Sequence, residues 1–334
     1  MTVIETTRAR LKQRIVDVLA EDLSAVREEL SRQFRSPSMF VQDVAEHVSR
    51  FQGKQIRPIL LLLSARVSGI GQHERRRAAV LAAVVEMIHA ATLVHDDVID
   101  DSDLRRHVST VHRRWNTETS VLFGDYLFSR AFHLAATTGD AEACRLIGRA
   151  TNRTCEGELN QIGARLEQSV SERDYFRVVQ GKTAQLFSVS CRLGARAGGA
   201  SERLQSQLSL FGGRLGIAFQ IADDVLDLTE TQESTGKDSA NDLANHRMTL
   251  PILRALRLGS AEERERIRGL LFSADASDQR VLRESGMLQR GIESAQQSCE
   301  RFAERAVRCL RQFPDSEERR LLELVAGYSA HRSE

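Results

Sequence analysis

Two stretches of this chain carry three aspartates at the same spacing: Asp96, Asp97 and Asp100, and Asp223, Asp224 and Asp227. Each reads DDxxD and each follows an apolar run. On a helix, residues four apart share a face. Asp96 and Asp100 therefore present two carboxylates toward one point, while Asp97 points about 100° away. Carboxylates gathered without histidine or cysteine partners suit Mg2+ rather than zinc. Mg2+ takes one or two carboxylates and completes its shell with water and phosphate oxygens. Two such clusters facing one cavity repel each other unless cations bridge them. The pair therefore implies a polyphosphate ligand held between metal ions. One DDxxD alone is as well explained by a solvated acidic patch, and it is the repeat that tips the reading.

Basic residues suited to that ligand recur along the chain. "GKQIRP" puts Lys54 and Arg57 beside Pro58, a residue at home in the first turn of a helix. Both cations then flank a helix N-terminus, whose free N–H groups favour anions. The Gly-Lys pair is no P-loop, because the glycine-rich lead-in and the following Ser/Thr are absent. Arg105 and Arg106 are adjacent and point to different sides, so each can grip a different diphosphate. Lys182 in "QGKTAQLF" and Lys237 in "STGKD" add two more cations. His89 sits seven residues before Asp96, two turns back on the same face. The plain alternatives are surface cations and a satisfied core histidine.

The elements that must position these groups are helices. The chain has 334 residues, only four prolines and few aromatics, a composition that favours helix throughout. Apolar residues recur at helical spacing over residues 8–34, and "ILLLLSARV" follows the break at "FQGKQIRP". The run at 78–94 is apolar on most faces but interrupted by Glu86 and His89, as expected of a buried central helix rather than a membrane span. Further helices are expected near 119–137, 141–161, 172–194, 201–228, 250–257, 261–272, 292–311 and 316–329. A capping box, Ser260 to Glu263, opens one of them. Residues 229–251 form the one long polar loop, of a length that is usually functional or disordered. No strand-length alternation and no linker are visible, so one all-α domain over residues 1–334 is the simplest account.

A net charge of +1 gives no reason to expect a nucleic-acid or anionic-membrane partner. Five cysteines without a CxxC pair suit buried thiols in a reducing cytosol. The N-terminus lacks the apolar core of a signal peptide. A cytoplasmic protein is the expectation.

Taken in order, GKxxRP, "EMIHAATLVHDDVIDDSDLRR", "GDYLFSRA", "GKTAQLF" and "FQIADDVLD…TGKD" resemble the trans-isoprenyl (polyprenyl) diphosphate synthases over roughly residues 50–255. The resemblance implies an all-α, isoprenoid-synthase-type helical bundle around a deep central cavity, in a homodimer. It implies Mg2+, three ions with bound diphosphate, on Asp96 and Asp100 of one wall and Asp223 of the other, with Asp97, Asp224 and Asp227 in support. Arg105, Lys182, Thr183, Gln220 and Lys237 would hold an allylic diphosphate. Lys54, Arg57, His89 and Arg106 would hold isopentenyl diphosphate. Asp96, Asp97, Asp100, Asp223 and Lys182 would form the catalytic set, and the product would pass to a membrane enzyme.

Two departures stand out. The family usually continues RRG after the first motif, where this chain has Arg106-His107. Arg247 replaces a lysine common in "DLANHRMTLP", which keeps a cation for diphosphate contact. By the family's logic the growing tail runs back along the helix before Asp96. Ala91 and Thr92 leave that way open, and Ile88 is of middling size one turn deeper. Phe123, Phe128 and Phe132 read as core aromatics that could obstruct it further on. A product beyond C20, in the C30–C50 range, is expected. The alternatives are a short-chain farnesyl or geranylgeranyl synthase, or a non-catalytic partner subunit of a heteromeric synthase. A class I terpene cyclase fits worse, since it needs no GKxxRP site, and an HD-type phosphohydrolase would require more histidine ligands.

Overall fold

The structure, a computed structural model, describes residues 3–51, 53–167, 170–229, 248–273 and 275–330. Helices account for most of it. α1 (Val3–Gln33) lays Ile15, Leu19, Leu23, Val26 and Leu30 into the core at intervals of three and four, the stripe expected of an amphipathic helix. α2 (Met39–Ser49) and α3 (Ile56–Val67) follow. α4 (Arg75–Ile99) is the central helix. With its preceding turn it is long and apolar enough to cross a membrane, yet it touches α1, α3, α6 (Thr117–Thr137) and α9 (Gln185–Ala197). Val84, Val85, Met87 and Ile88 are fully enclosed, each removal from water worth about 1.5–3 kcal/mol.

A small antiparallel hairpin, β1 (Leu104–Arg105) and β2 (Val108–Ser109), succeeds α4. Its strands are too short to leave an alternation in the sequence. Its turn is Arg106-His107, at φ +53° and +64°, the sign pattern of a type I′ turn that ordinarily prefers glycine second. His107 stands at the second, glycine-preferring place of that turn. After a single turn, α5 (Val111–Arg114), come α6, opened by the Asn116 side chain on the Thr119 amide at 2.7 Å, and α7 (Ala141–Glu167). α8 (Glu172–Val179) begins with a Ser171–Asp174 capping box and gives way to a π-helical segment, Gln180–Ala184, before α9.

α10 (Glu202–Thr229) carries the second aspartate motif near its end and lies along α9 and α14 (Gly286–Cys309). α11 (Leu250–Leu258), α12 (Ala261–Leu271), α13 (Ala276–Arg283) and α15 (Glu317–Ala330) complete the described chain. The Ser260–Glu263 capping box is present. The sequence pattern did not foresee α2, α13 or the hairpin, read α8 to α9 as one regular helix, and began α14 late. Of the cysteines, Cys191, Cys299 and Cys309 are buried as expected, whereas Cys155 is exposed.

Candidate active site

α4 and α10 deliver the two aspartate motifs to one cavity of about 1140 Å³. On α4 the lining residues are Glu86, His89, Ala90, Thr92, Leu93, Asp96, Asp97 and Asp100, close to one helical stripe. Asp100 is the C-cap of α4, so the acids sit where the helix ends. From α10, Asp223, Asp224 and Asp227 line the same cavity with Gln220.

The middle aspartate of each motif also touches the cavity but is buried and fastened to its neighbours. Asp97 is 1% exposed and accepts from Arg105 Nε at 2.9 and 3.0 Å and from its Nη2 at 2.6 Å. Burial pushes the Asp97 carboxyl above its ordinary range, although Arg105 pulls the other way. Asp224 accepts from the Tyr175 hydroxyl at 2.6 Å and from Gln220 Nε2 at 2.9 Å. Thr183 Oγ1 in turn donates to Gln220 Oε1 at 2.7 Å. Arg105 was expected to hold allylic diphosphate. It does line the cavity, but one edge of its guanidinium is committed to Asp97.

Lys182 and Thr183 are consecutive, and both face the cavity from the π segment. Irregular turns of this kind collect at functional sites. The segment can lie close to α7 because both chains are bare there: a Cβ on Gly157 would fall 2.5 Å from the Lys182 amide nitrogen. That approach brings Lys182 Nζ to 2.8 Å from Glu158 Oε2, 3.2 Å from Gln161 Oε1 and 3.6 Å from Asp96 Oδ2. Burial pushes Glu158 up to about 7, reinforced by the charge on Asp96. Asp96 is raised too, by burial first.

The other cations gather at the GKxxRP turn. Lys54 and Arg57 line the cavity at the start of α3, whose N-cap, Gln55, is left-handed at φ +47°. The Arg57 guanidinium lies over the Phe187 ring, 4.9 Å from its centroid, a cation–π arrangement. Burial lowers its pKa to about 10. The Arg106 guanidinium fills the space that a side chain on Gly53 would take. His89 is held well below its ordinary pKa by burial and by Arg57, Arg105 and Arg106, so it is neutral at pH 7. Glu86 faces the same corner and is raised by burial.

The chain-length positions divide. Thr92 lines the cavity, but Ala91 and Ile88 do not. Ala91 is closed in with Val94, Phe123 and Leu127, and Ile88 lies in the main core. A step of one residue turns the side chain by about 100°, and that step carries Ala91 away from the lining. Phe123 is a core residue and Phe132 is 37% exposed; neither they nor Phe128 line the cavity. Lys237 and Arg247 fall outside the described residues. Sequence reasoning missed Glu158 and Gln161, which on a charged amphipathic helix resemble ordinary solvated residues. It noticed Glu86 only as an interruption of an apolar run.

Acids from two helices, several cations and apolar side chains such as Leu93, Leu186 and Phe219, all lining one cavity, suit a diphosphate ester with an apolar tail. Helical bundle and site together define a prenyl-transferring enzyme of the isoprenoid-synthase fold. The chain matches the polyprenyl synthetase family over residues 38–285 and belongs to it. It is 36% identical to the heptaprenyl diphosphate synthase component 2 of Geobacillus stearothermophilus, over 94% of this chain and 97% of the relative. The decaprenyl diphosphate synthase structure from Rhodobacter capsulatus superposes with a TM-score of 0.89 at 34% identity, covering 97% of this chain and 99% of that one. A polyprenyl synthase from Caulobacter crescentus CB15, complexed with calcium and isoprenyl diphosphate, gives 0.89 at 32% identity, covering 97% of this chain and 98% of that one. The protein is a trans-prenyltransferase.

Proposed function

We propose that this chain condenses isopentenyl diphosphate with an allylic diphosphate to make a polyprenyl diphosphate of C30–C50, using Mg2+. The observation that carries the reading is that Asp96, Asp100, Asp223 and Asp227 line one cavity together with Lys54, Arg57, Arg106 and Lys182. The donor set suits magnesium. It is all oxygen, and among the described residues no three acids form a group able to hold an ion, so phosphate oxygens and water must complete the shell. Asp96 and Asp100 would hold magnesium at one motif and Asp223 at the other, on separate ions. Bound magnesium supplies the positive charge that stabilises a departing diphosphate.

This chain's own side chains account for the rest. Lys182 and Thr183 meet the allylic diphosphate from one wall. Breaking its C–O bond leaves an allylic cation, and the apolar lining keeps water from it. Lys54, Arg57, Arg106 and neutral His89 hold isopentenyl diphosphate so that its alkene attacks that cation. The proton lost afterwards goes to the released diphosphate. Thr92, rather than Ala91, faces the growing tail.

The long product is supported by the heptaprenyl and decaprenyl synthases among the relatives. We read residues 1–334 as one polyprenyl synthetase domain, acting in the cytoplasm as a homodimer. α6 leaves Leu122 and Phe132 exposed and α7 leaves Leu159 and Ile162 exposed, and a second copy would cover them. The test is to incubate the pure chain with farnesyl diphosphate, isopentenyl diphosphate and Mg2+ and to size the products. C30–C50 products are expected. Nothing longer than C20 overturns the length, and no product at all favours a subunit that needs a partner.

A further inference from the structure

Glu158 is a buried acid that the proposed reaction does not use. It lines the cavity, its side chain is 15% exposed, and it takes the ammonium of Lys182 at 2.8 Å. Its second oxygen, Oε1, is enclosed and has no hydrogen-bond partner among the described residues. An acid left half-satisfied beside other acids weakens a fold, so packing alone does not account for it. Its position does. Lys182 stands between two carboxylates and is nearer to Glu158 than to Asp96, at 2.8 against 3.6 Å. Gln161 holds the ammonium on the same side, at 3.2 Å. The Gly157–Gly181 approach fixes the two backbones that carry the pair.

We infer that Glu158 is a positioning residue that holds Lys182 off Asp96 and keeps that carboxylate open for magnesium. An ammonium and a metal ion compete for the same carboxylate oxygens. Without the counter-charge of Glu158, Lys182 closes the remaining distance to Asp96 and occupies the ligand. With it, Lys182 waits beside the metal site, with one donor to spare for an incoming diphosphate. The inference rests on the reaction proposed above, but its consequence is specific to the metal and allylic side. Isopentenyl diphosphate meets other cations and is untouched.

The test is binding of an unreactive allylic thiodiphosphate at graded Mg2+, followed by calorimetry, in wild type, Glu158→Gln, Glu158→Asp, Lys182→Gln and the Glu158→Gln/Lys182→Gln double variant. Glu158→Gln is expected to need about tenfold more Mg2+ for half-maximal binding, the scale of one charge-assisted hydrogen bond. Glu158→Asp should recover part of the loss, and the KM for isopentenyl diphosphate should not move. In the Lys182→Gln background, Glu158→Gln should have no further effect on the Mg2+ requirement. A shift that persists there makes Glu158 a metal ligand and overturns the inference, as does a Mg2+ requirement equal to wild type. Thermal unfolding in the absence of metal separates misfolding from either result, and Glu158→Asp carries the test if Glu158→Gln does not fold. Wild type that binds no thiodiphosphate at any Mg2+ overturns the proposed reaction itself, and this inference with it.

Discussion

The two walls of the cavity spell the same motif and support it differently. On α4 the middle acid, Asp97, is matched by a full positive charge, Arg105, which belongs to the hairpin just beyond the helix. On α10 the middle acid, Asp224, is met by a hydroxyl and an amide, Tyr175 and Gln220. All six acids line the cavity, the outer ones half-buried and the middle ones buried. So the spacing DDxxD encodes two duties on each wall: acids at the first and fifth places for the ligand, and one behind them to fasten the wall. The fastening on α4 also ties down the strand that leads to Arg106, one residue after Arg105. The fastening on α10 runs through Gln220 to Thr183, a cavity residue of a different helix.

Replacement of the outer acids should erase the difference between the walls. Asp96→Asn and Asp223→Asn are each expected to lower kcat by about 10²–10³-fold while thermal unfolding of the metal-free protein stays near wild type. A large loss on only one wall would break the symmetry. The middle acids should restore the contrast. Asp97→Asn leaves Arg105 facing a neutral amide and should cost about 2 kcal/mol of stability, with a raised KM for isopentenyl diphosphate through Arg106. Asp224→Asn keeps an acceptor for Tyr175 and should cost about 1 kcal/mol; denaturant titration of both variants ranks them.

A pH series sharpens the α4 side further. Glu158 is raised from 4.5 to about 7 in the folded protein. The folded state therefore holds that proton more tightly than the unfolded chain. The stability it confers is complete below pH 4.5 and is lost as pH rises through 7. Metal-free wild type should lose stability across that window by more than Glu158→Gln does, measured as unfolding midpoints at several pH values. Identical slopes would show that Glu158 is not raised. The smallest effect concerns the hairpin: His107→Gly relieves a left-handed turn at φ +64° and should stabilise the protein by about 0.5–1 kcal/mol, read as a small rise in Tm.

Most of the helical frame was legible because apolar residues recur along it at helical spacing, as in α1 and α10. The aspartates were legible because a repeated motif is rare by chance. What the sequence hid has physical reasons. A two-residue strand has no room to alternate, so the hairpin that carries Arg105 left no trace. Glu158 is charged on a helix rich in charge, and nothing local distinguishes a buried acid from a solvated one. Ala91 and Ala90 differ by one step around a helix, and only neighbours fix which of them faces the cavity. The π segment keeps an ordinary composition, since its irregularity lies in the backbone.

That segment has a consequence for insertion and deletion. A π turn arises when one residue more than a regular helix needs is accommodated between two α-helical stretches. Deleting one residue from Gln180–Ala184 would let α8 run smoothly into α9 and would improve the backbone's hydrogen bonding. It would also rotate Lys182 and Thr183 relative to everything after them, and two adjacent positions on a regular helix diverge by about 100°. The most regular version of this helix would thus be a sound piece of protein that no longer offers both groups to the cavity, so a deletion scan there would read as a stabilised, silent enzyme.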